Sequence, residues 1–467
     1  MKTAKRSIVL LTALFVLAAC SESLHDEVPQ RINKEVWRNY EKNLTKSIDT
    51  RLAANGVSEE DVRNYLHYAM QIPANEVKDI TRYDIDEDVY IYIVNLVDGR
   101  WYFFSGDYSS GPIVGGGETD GFYPNNDMSS HMAKWLKSIR NYIIDNRAED
   151  ANRAAQVQDN RNKWIRAQRI SDLKAGIPSS LFVSGDPEPD TMEVDVQLIT
   201  DTLIFENYPS LTVTQWNQSY PWNGAMPKLD LQGVEDRRSH AGCAVIAIAQ
   251  LLYYTHYAFG YPNDIYSEAV CNTTIDTKMT APVKPVWNFS NPSSTCWDLM
   301  SLVYDSRTDD LDTYTPALCA WIAHISDTRY GFEDGFPGFD WSYGATAPDT
   351  IPGTLNFFML SGSYRKGYSV ADVSNEIKQN RPVLCSGRDT PGTSTGHIFL
   401  IDGYYMLRVL HGERFLDMEG NYLWENTYTE DLSYWRVNTG DGPGRINVPI
   451  TENTYYPYNR EIFIGWR

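Results

Sequence analysis

Residues 241–257, AGCAVIAIAQLLYYTHY, leave the chain little choice of local structure. Gly242 leads into a run of small and apolar residues with no Gly or Pro, so the pattern predicts a buried helix with Cys243 in its first turn. A thiol placed there faces unpaired N–H groups and the positive end of the helix macrodipole, both of which favour the thiolate. Downstream, TSTGHIFLIDGYY at 393–405 delivers His397 from a polar loop to the start of an alternating apolar strand. A cysteine on a helix tip and a histidine at a strand start are the two halves of a thiol hydrolase site.

Each half has a plainer reading. Cysteine is among the most buried residues, and Cys243 could be a small hydrophobe on an apolar helix. His397 could be a hydrogen-bonded strand-end histidine. Other histidines compete: His240 lies just before Cys243, His324 falls in an apolar helical run, and His256 is more than three turns along the same helix, out of reach of the thiol. A third piece, Gln218 in TQWNQSYPWNGAMP at 214–227, sits between aromatics in a turn-rich segment. Its amide could donate to an oxyanion beside the Cys243 N–H, or it is an ordinary turn residue.

The first 19 residues read as an address. MKTAKR is basic, SIVLLTALFVLA is too short to span a bilayer, and LAAC ends the stretch at Cys20. This resembles a bacterial lipoprotein signal with Cys20 as the lipid attachment, which makes acyl chains the membrane contact. Ser21 carries no inner-membrane retention cue, so the expected location is the outer membrane, with a surface-exposed face as one option. The formal charge of −20 argues against nucleic acid and anionic membrane surfaces as partners. Thirteen Trp and 31 Tyr fit an extracellular, β-rich protein. Besides Cys20 and Cys243 there are four cysteines, Cys271, Cys296, Cys319 and Cys385, whose pairing spacing cannot choose. No Cys/His spacing is of zinc type, so neither metal nor cofactor is expected.

Along the chain, 20–35 reads as a tether and 36–72 as helical. Two apolar runs around Asp98-Gly99 predict a hairpin over 88–107, and Gly115-Gly116-Gly117 a further turn. A long helix is expected from Ser129 to about Gly176. Gly, Pro, Ser and Asp clusters over 174–196 mark a processing linker (176–196 as a segment) between an N-terminal domain at 36–175 and a second at 197–467.

WNQSYPWN, SHAGCAVIAIAQLLYY, QNRPVLCSG and GHIFLIDGY, in that order, resemble the streptopain family of papain-like cysteine peptidases across about 218–405. The hairpin VYIYIVNLVDGRWYFFSGD and the helical stretch after it are similar to that family's pro-domain. The resemblance implies an α+β fold, with helical and antiparallel β-sheet subdomains flanking the active site, preceded by an α+β pro-domain. It implies a cysteine endopeptidase made as a zymogen, acting on protein or peptide substrates, with the pro-domain as an intramolecular partner. Cys243 would be the nucleophile and His397 the general base and acid. Gln218 with the Cys243 N–H would form the oxyanion hole. The family's Asn-Trp-Gly-Trp-Gly-Gly-like motif has its nearest match in YWRVNTGDGPG at 434–444. Asn438 would orient the imidazole, but Thr439 and Asp441 stand where tryptophans shield that contact, leaving Trp435 or Trp424 as substitutes. That departure keeps a second reading open: a relative with a decayed site, acting as a surface binding lipoprotein.

Overall fold

A computed structural model describes residues 34–118, 120–124, 130–148, 151–174, 177–178, 191–192, 194–227, 238–260, 295–298, 300–303, 314–336, 339–389, 396–417, 420, 422–442, 445–450 and 455–466. The leader, Cys20, the tether, Cys271 and most of the linker at 176–196 lie outside them.

The stretch expected as one helix over 36–72 is two, α1 (Lys34–Asn55) and α2 (Glu59–Tyr68). The break follows from Ser58, whose hydroxyl caps the Asp61 N–H while Asp61 returns a bond to the Ser58 N–H. The hairpin forms as read: β1 (Val77–Asp84), β2 (Tyr90–Leu96) and β3 (Trp101–Ser105) pair antiparallel, with Gly99 at φ 93° in the turn. The glycine triplet is not a turn but part of a strand, β4 (Ile113–Gly117), paired with β3. Its glycines are there for space: a Cβ on Gly115 would collide with the Trp135 ring, and one on Gly117 would lie 2.5 Å from that of Trp101.

The long helix is likewise two, α3 (Ser130–Arg147) and α4 (Ala154–Lys174), because the polar residues between them offer almost no apolar surface to bury. There follow β5 (Ile177–Pro178), β6 (Thr191–Met192), β7 (Val194–Tyr208), α5 (Cys243–Phe259), α6 (Thr295–Asp298), α7 (Tyr314–Ile325), β8 (Arg329–Phe336), β9 (Phe339–Ala345) and α8 (Ile351–Phe357). The chain closes with β10 (Ser363–Lys366), α9 (Val370–Lys378), β11 (Val383–Arg388), β12 (His397–Asp417), β13 (Tyr422–Asn438), β14 (Arg445–Pro449) and β15 (Tyr458–Ile464).

The main sheet runs β1-β2-β3-β4-β14-β13-β12-β11-β15-β10, with β7 also on β12. β4 meets β14 with Gly117 opposite Ile446 and Gly116 opposite Asn447, so the N-terminal strands and those around His397 share one sheet.

Two compact units make up the chain. The smaller draws on 1–47, 169–200 and 411–428; within it Arg169 pairs with Glu41 at 2.9 Å, and Arg414 with Glu425 at 3.0 Å. The larger comprises 48–168, 201–410 and 429–467. Strand alternation gives it two cores. Leu384, Ile398, Leu400 and Phe463 pack with α5 and α7, whereas Val383, Cys385, Phe399, Ile401 and Ile462 pack with Ile91, Phe103 and Trp135. The α+β architecture is as expected, with Cys243 on the helical side and His397 on the sheet. Cys319 and Cys385 lie in different cores, and neither they nor Cys243 are in a disulfide. Among the described residues, no helix is long and apolar enough to cross a membrane.

Candidate active site

Gly242 holds φ 100°, and a Cβ there would lie 2.8 Å from the Gly344 carbonyl of β9. Only glycine lets the chain turn into α5 at this point, which makes Cys243 the helix's first residue. The Ala241 N–H donates to the Gln218 carbonyl at 2.9 Å, holding the backbone of Gln218 beside the approach to Cys243. Gln218 itself is buried.

Across from the helix tip, β12 begins at His397, and its register with β11 sets Gly387 opposite. The two halves of the site meet here: the Ile398 N–H donates to the Cys243 sulfur at 3.4 Å, so the thiol touches the residue after His397. His397 is 1% exposed. Its Nε2 lies 3.0 Å from the Thr439 carbonyl oxygen. A carbonyl can only accept, so the proton of the neutral ring sits on Nε2 and Nδ1 carries the basic lone pair. Nδ1 is buried.

The thiol departs from expectation in one respect. Burial pushes the Cys243 thiol up, and this outweighs the lowering by the N–H groups of Ile398 and Ala244 and by the Lys134 ammonium; the Asp441 carboxylate adds to the rise. A helix tip favours the thiolate, but the half-buried setting of Cys243 works against it.

Asn438 does not hold His397. Its amide donates to Gln250 Oε1 at 2.8 Å and to Thr212 Oγ1 at 3.2 Å, and its oxygen accepts the Gly440 N–H at 3.2 Å. Gln250 lies on α5, so Asn438 fastens β13 to the cysteine helix. Around it, Arg445 donates to the Thr212 carbonyl at 2.8 Å and pairs with Asp402 at 3.4 Å, and Thr212 donates to Asp402 through its hydroxyl. Burial pushes the Asp402 carboxyl up, opposed by Arg445 and the Thr212 donors. The bond assigned to Asn438 from sequence is made by the backbone of the next residue. A backbone carbonyl carries no residue-type signature, so nothing in the sequence could have marked it.

The tryptophan shield is also replaced. Trp435 is buried against Tyr404, ring centroids 5.9 Å apart. The His397 ring instead contacts Tyr456 at 5.0 Å, Phe399 at 5.8 Å and Tyr455 edge-on at 5.9 Å. Tyr455 in turn packs edge-on against Trp135 of α3 at 5.7 Å. The adjacent aromatic pair in YYPY at 455–458 was the available signal for these residues. Of the competing histidines, His240 Nδ1 lies 3.4 Å from Ser219 Oγ and His256 stacks on Trp297 at 4.8 Å. Among the described residues, no group of three His, Cys, Asp or Glu could hold a metal ion.

The model of the peptidase C10 family matches residues 216–441. Among solved structures, the chain is similar to a fragment of prointerpain A from Prevotella intermedia, at 16% identity and a TM-score of 0.47, covering 83% of this chain and 98% of that one. No curated protein matches the chain.

Proposed function

The chain belongs, over residues 216–441, to the peptidase C10 (streptopain) family, and on that premise we propose that it is a cysteine endopeptidase made as a zymogen. The observation that carries the reading is the meeting of Cys243 with the start of the His397 strand, with the basic Nδ1 of the imidazole defined by the Thr439 bond. In the reaction, Nδ1 takes the thiol proton and the Cys243 sulfur attacks the scissile carbonyl. The oxyanion is met by the Cys243 N–H and the Gln218 amide. His397 then protonates the leaving amine, and water hydrolyses the thioester.

Latency is supported by the N-terminal region. Residues 48–168 share a sheet and a core with the strands around His397, and α3 brings Trp135 onto Tyr455. Cleavage within 176–196 would release 36–175 and uncover the Tyr455 side of the site. Cys20 would carry the lipid anchor, placing the enzyme at the outer membrane. A covalent thiol-peptidase inhibitor should label Cys243 in the processed form and leave Cys243→Ala unlabelled; labelling that survives the substitution sinks the assignment. Equal hydrolysis by intact and processed chains sinks the zymogen.

The second reading, a binding lipoprotein with a decayed site, draws on Asn438 being engaged away from His397. Processed protein that hydrolyses no peptide would favour it.

A further inference from the structure

Tyr455 and Tyr456 lie against the His397 ring. Both are buried, at 2% and 0% exposure, and neither hydroxyl has a hydrogen-bond partner among the described residues. A hydroxyl left unbonded in the interior is costly, and phenylalanine would fill the same space without that cost. The backbone adds to it: Tyr456 holds φ 48°, a left-handed conformation that a bulky residue rarely adopts. Gly387, opposite His397, leaves room for this, since a Cβ there would collide with the Tyr456 carbonyl. The turn at Tyr456 brings two consecutive rings onto one side. They pack edge-on at 4.9 Å, and both touch the imidazole. Both rings therefore lie against His397, whose neighbour Ile398 donates its N–H to the Cys243 sulfur.

We propose that the Tyr455 and Tyr456 hydroxyls are peptide-binding donors of this site, bonded only when a backbone carbonyl of the substrate lies beside Cys243. The inference rests on the peptidase reading and adds to it a recognition element outside the cysteine, histidine and glutamine set. It accounts for two features at once. Unbonded donors are tolerated where a ligand supplies the acceptor, and strain persists where the position of a side chain matters more than its stability. In the intact chain Trp135 of α3 packs edge-on against the Tyr455 ring, and release of the N-terminal region would uncover that ring.

The test uses processed enzyme with Tyr455→Phe and Tyr456→Phe, which keep the rings. Three readouts are compared: the thermal midpoint, kcat/KM on a peptide, and the rate of Cys243 modification by methyl methanethiosulfonate, a thiol reagent with no carbonyl. The proposal expects an unchanged or raised midpoint, a loss of about tenfold or more in kcat/KM in at least one variant, and unchanged thiol modification. Wild-type kcat/KM in both variants overturns the proposal alone. A parallel fall in thiol modification also overturns it, by showing that the hydroxyls serve the thiol–imidazole pair rather than the peptide. Processed wild type that hydrolyses no peptide overturns the peptidase reading and this proposal with it.

Discussion

Two buried polar arrangements lie beside Cys243 and His397 and are built on opposite terms. Asn438, wholly buried, uses both ends of its amide, joining Gln250 on α5 to Thr212 and to the turn at Gly440. Tyr455 and Tyr456 are as deeply buried, yet their hydroxyls bond to nothing described. The first arrangement is complete within the protein and fixes the helix that begins at Cys243 to the sheet that carries His397. The second is incomplete, and lies against the imidazole itself. A polar group satisfied within the fold reads as structure; one left unsatisfied at a cost reads as a place where something else binds.

That contrast can be broken in order of expected effect. Cys243→Ala should reduce peptide hydrolysis by processed protein by about 10⁴-fold or more, since the proposed acyl intermediate forms on its sulfur. Residual turnover well above that would mean that the pair does not carry the chemistry. Asn438→Ala should cost about 2–4 kcal/mol in chemical denaturation, because Gln250 and Thr212 lose buried partners, while hydrolysis per folded molecule changes only a few-fold. The opposite pattern, intact stability with activity lost, would return Asn438 to the role of orienting His397 and erase the distinction drawn above.

A smaller effect concerns the N-terminal region. The Tyr65 hydroxyl of α2 donates to the Glu430 carboxyl of β13, and burial pushes Glu430 above its ordinary range. A carboxyl whose folded pKa is raised holds its proton better in the folded state. The contribution is therefore complete below the ordinary glutamate pKa and is lost as pH rises through the raised value. The thermal midpoint of the intact chain should fall more over that window in wild type than in Glu430→Gln, whose amide oxygen accepts the same bond at every pH. Identical pH profiles would remove Glu430 as the cause. Smallest of all, Arg63→Ala should shift the midpoint by about 1 °C or less, because its pair with Glu59 is exposed on both sides.

Much of this was legible in the sequence, and what was not has physical reasons. Cys243 and His397 were readable because helix starts and strand starts leave marks in residue type, Gly242 before the thiol and an alternating run after the histidine. The hairpin at Asp98-Gly99 was readable for the same reason. Helix continuity was not: α1 and α2, and α3 and α4, each read as one element, since a polar break and a solvated helix face look alike in composition. The glycine triplet was misread because glycine marks both turns and close packing, and Trp101 and Trp135 come from elsewhere in the chain to fill the space. The support of His397 was least legible. It is a backbone carbonyl from Thr439 and two rings from 455–456, joined only by folding.

The β4–β14 pairing has a consequence for any form of the protein without its N-terminal strands. With β4 gone, β14 passes from the interior of a sheet to its margin, and the N–H and C=O groups of Ile446 and Asn447 that faced Gly117 and Gly116 lose their partners. A bare margin of this kind pairs readily with other extended chains. Loss of those strands would thus create a new adhesive border, and residues 445–449 are where self-association or strand capture would begin.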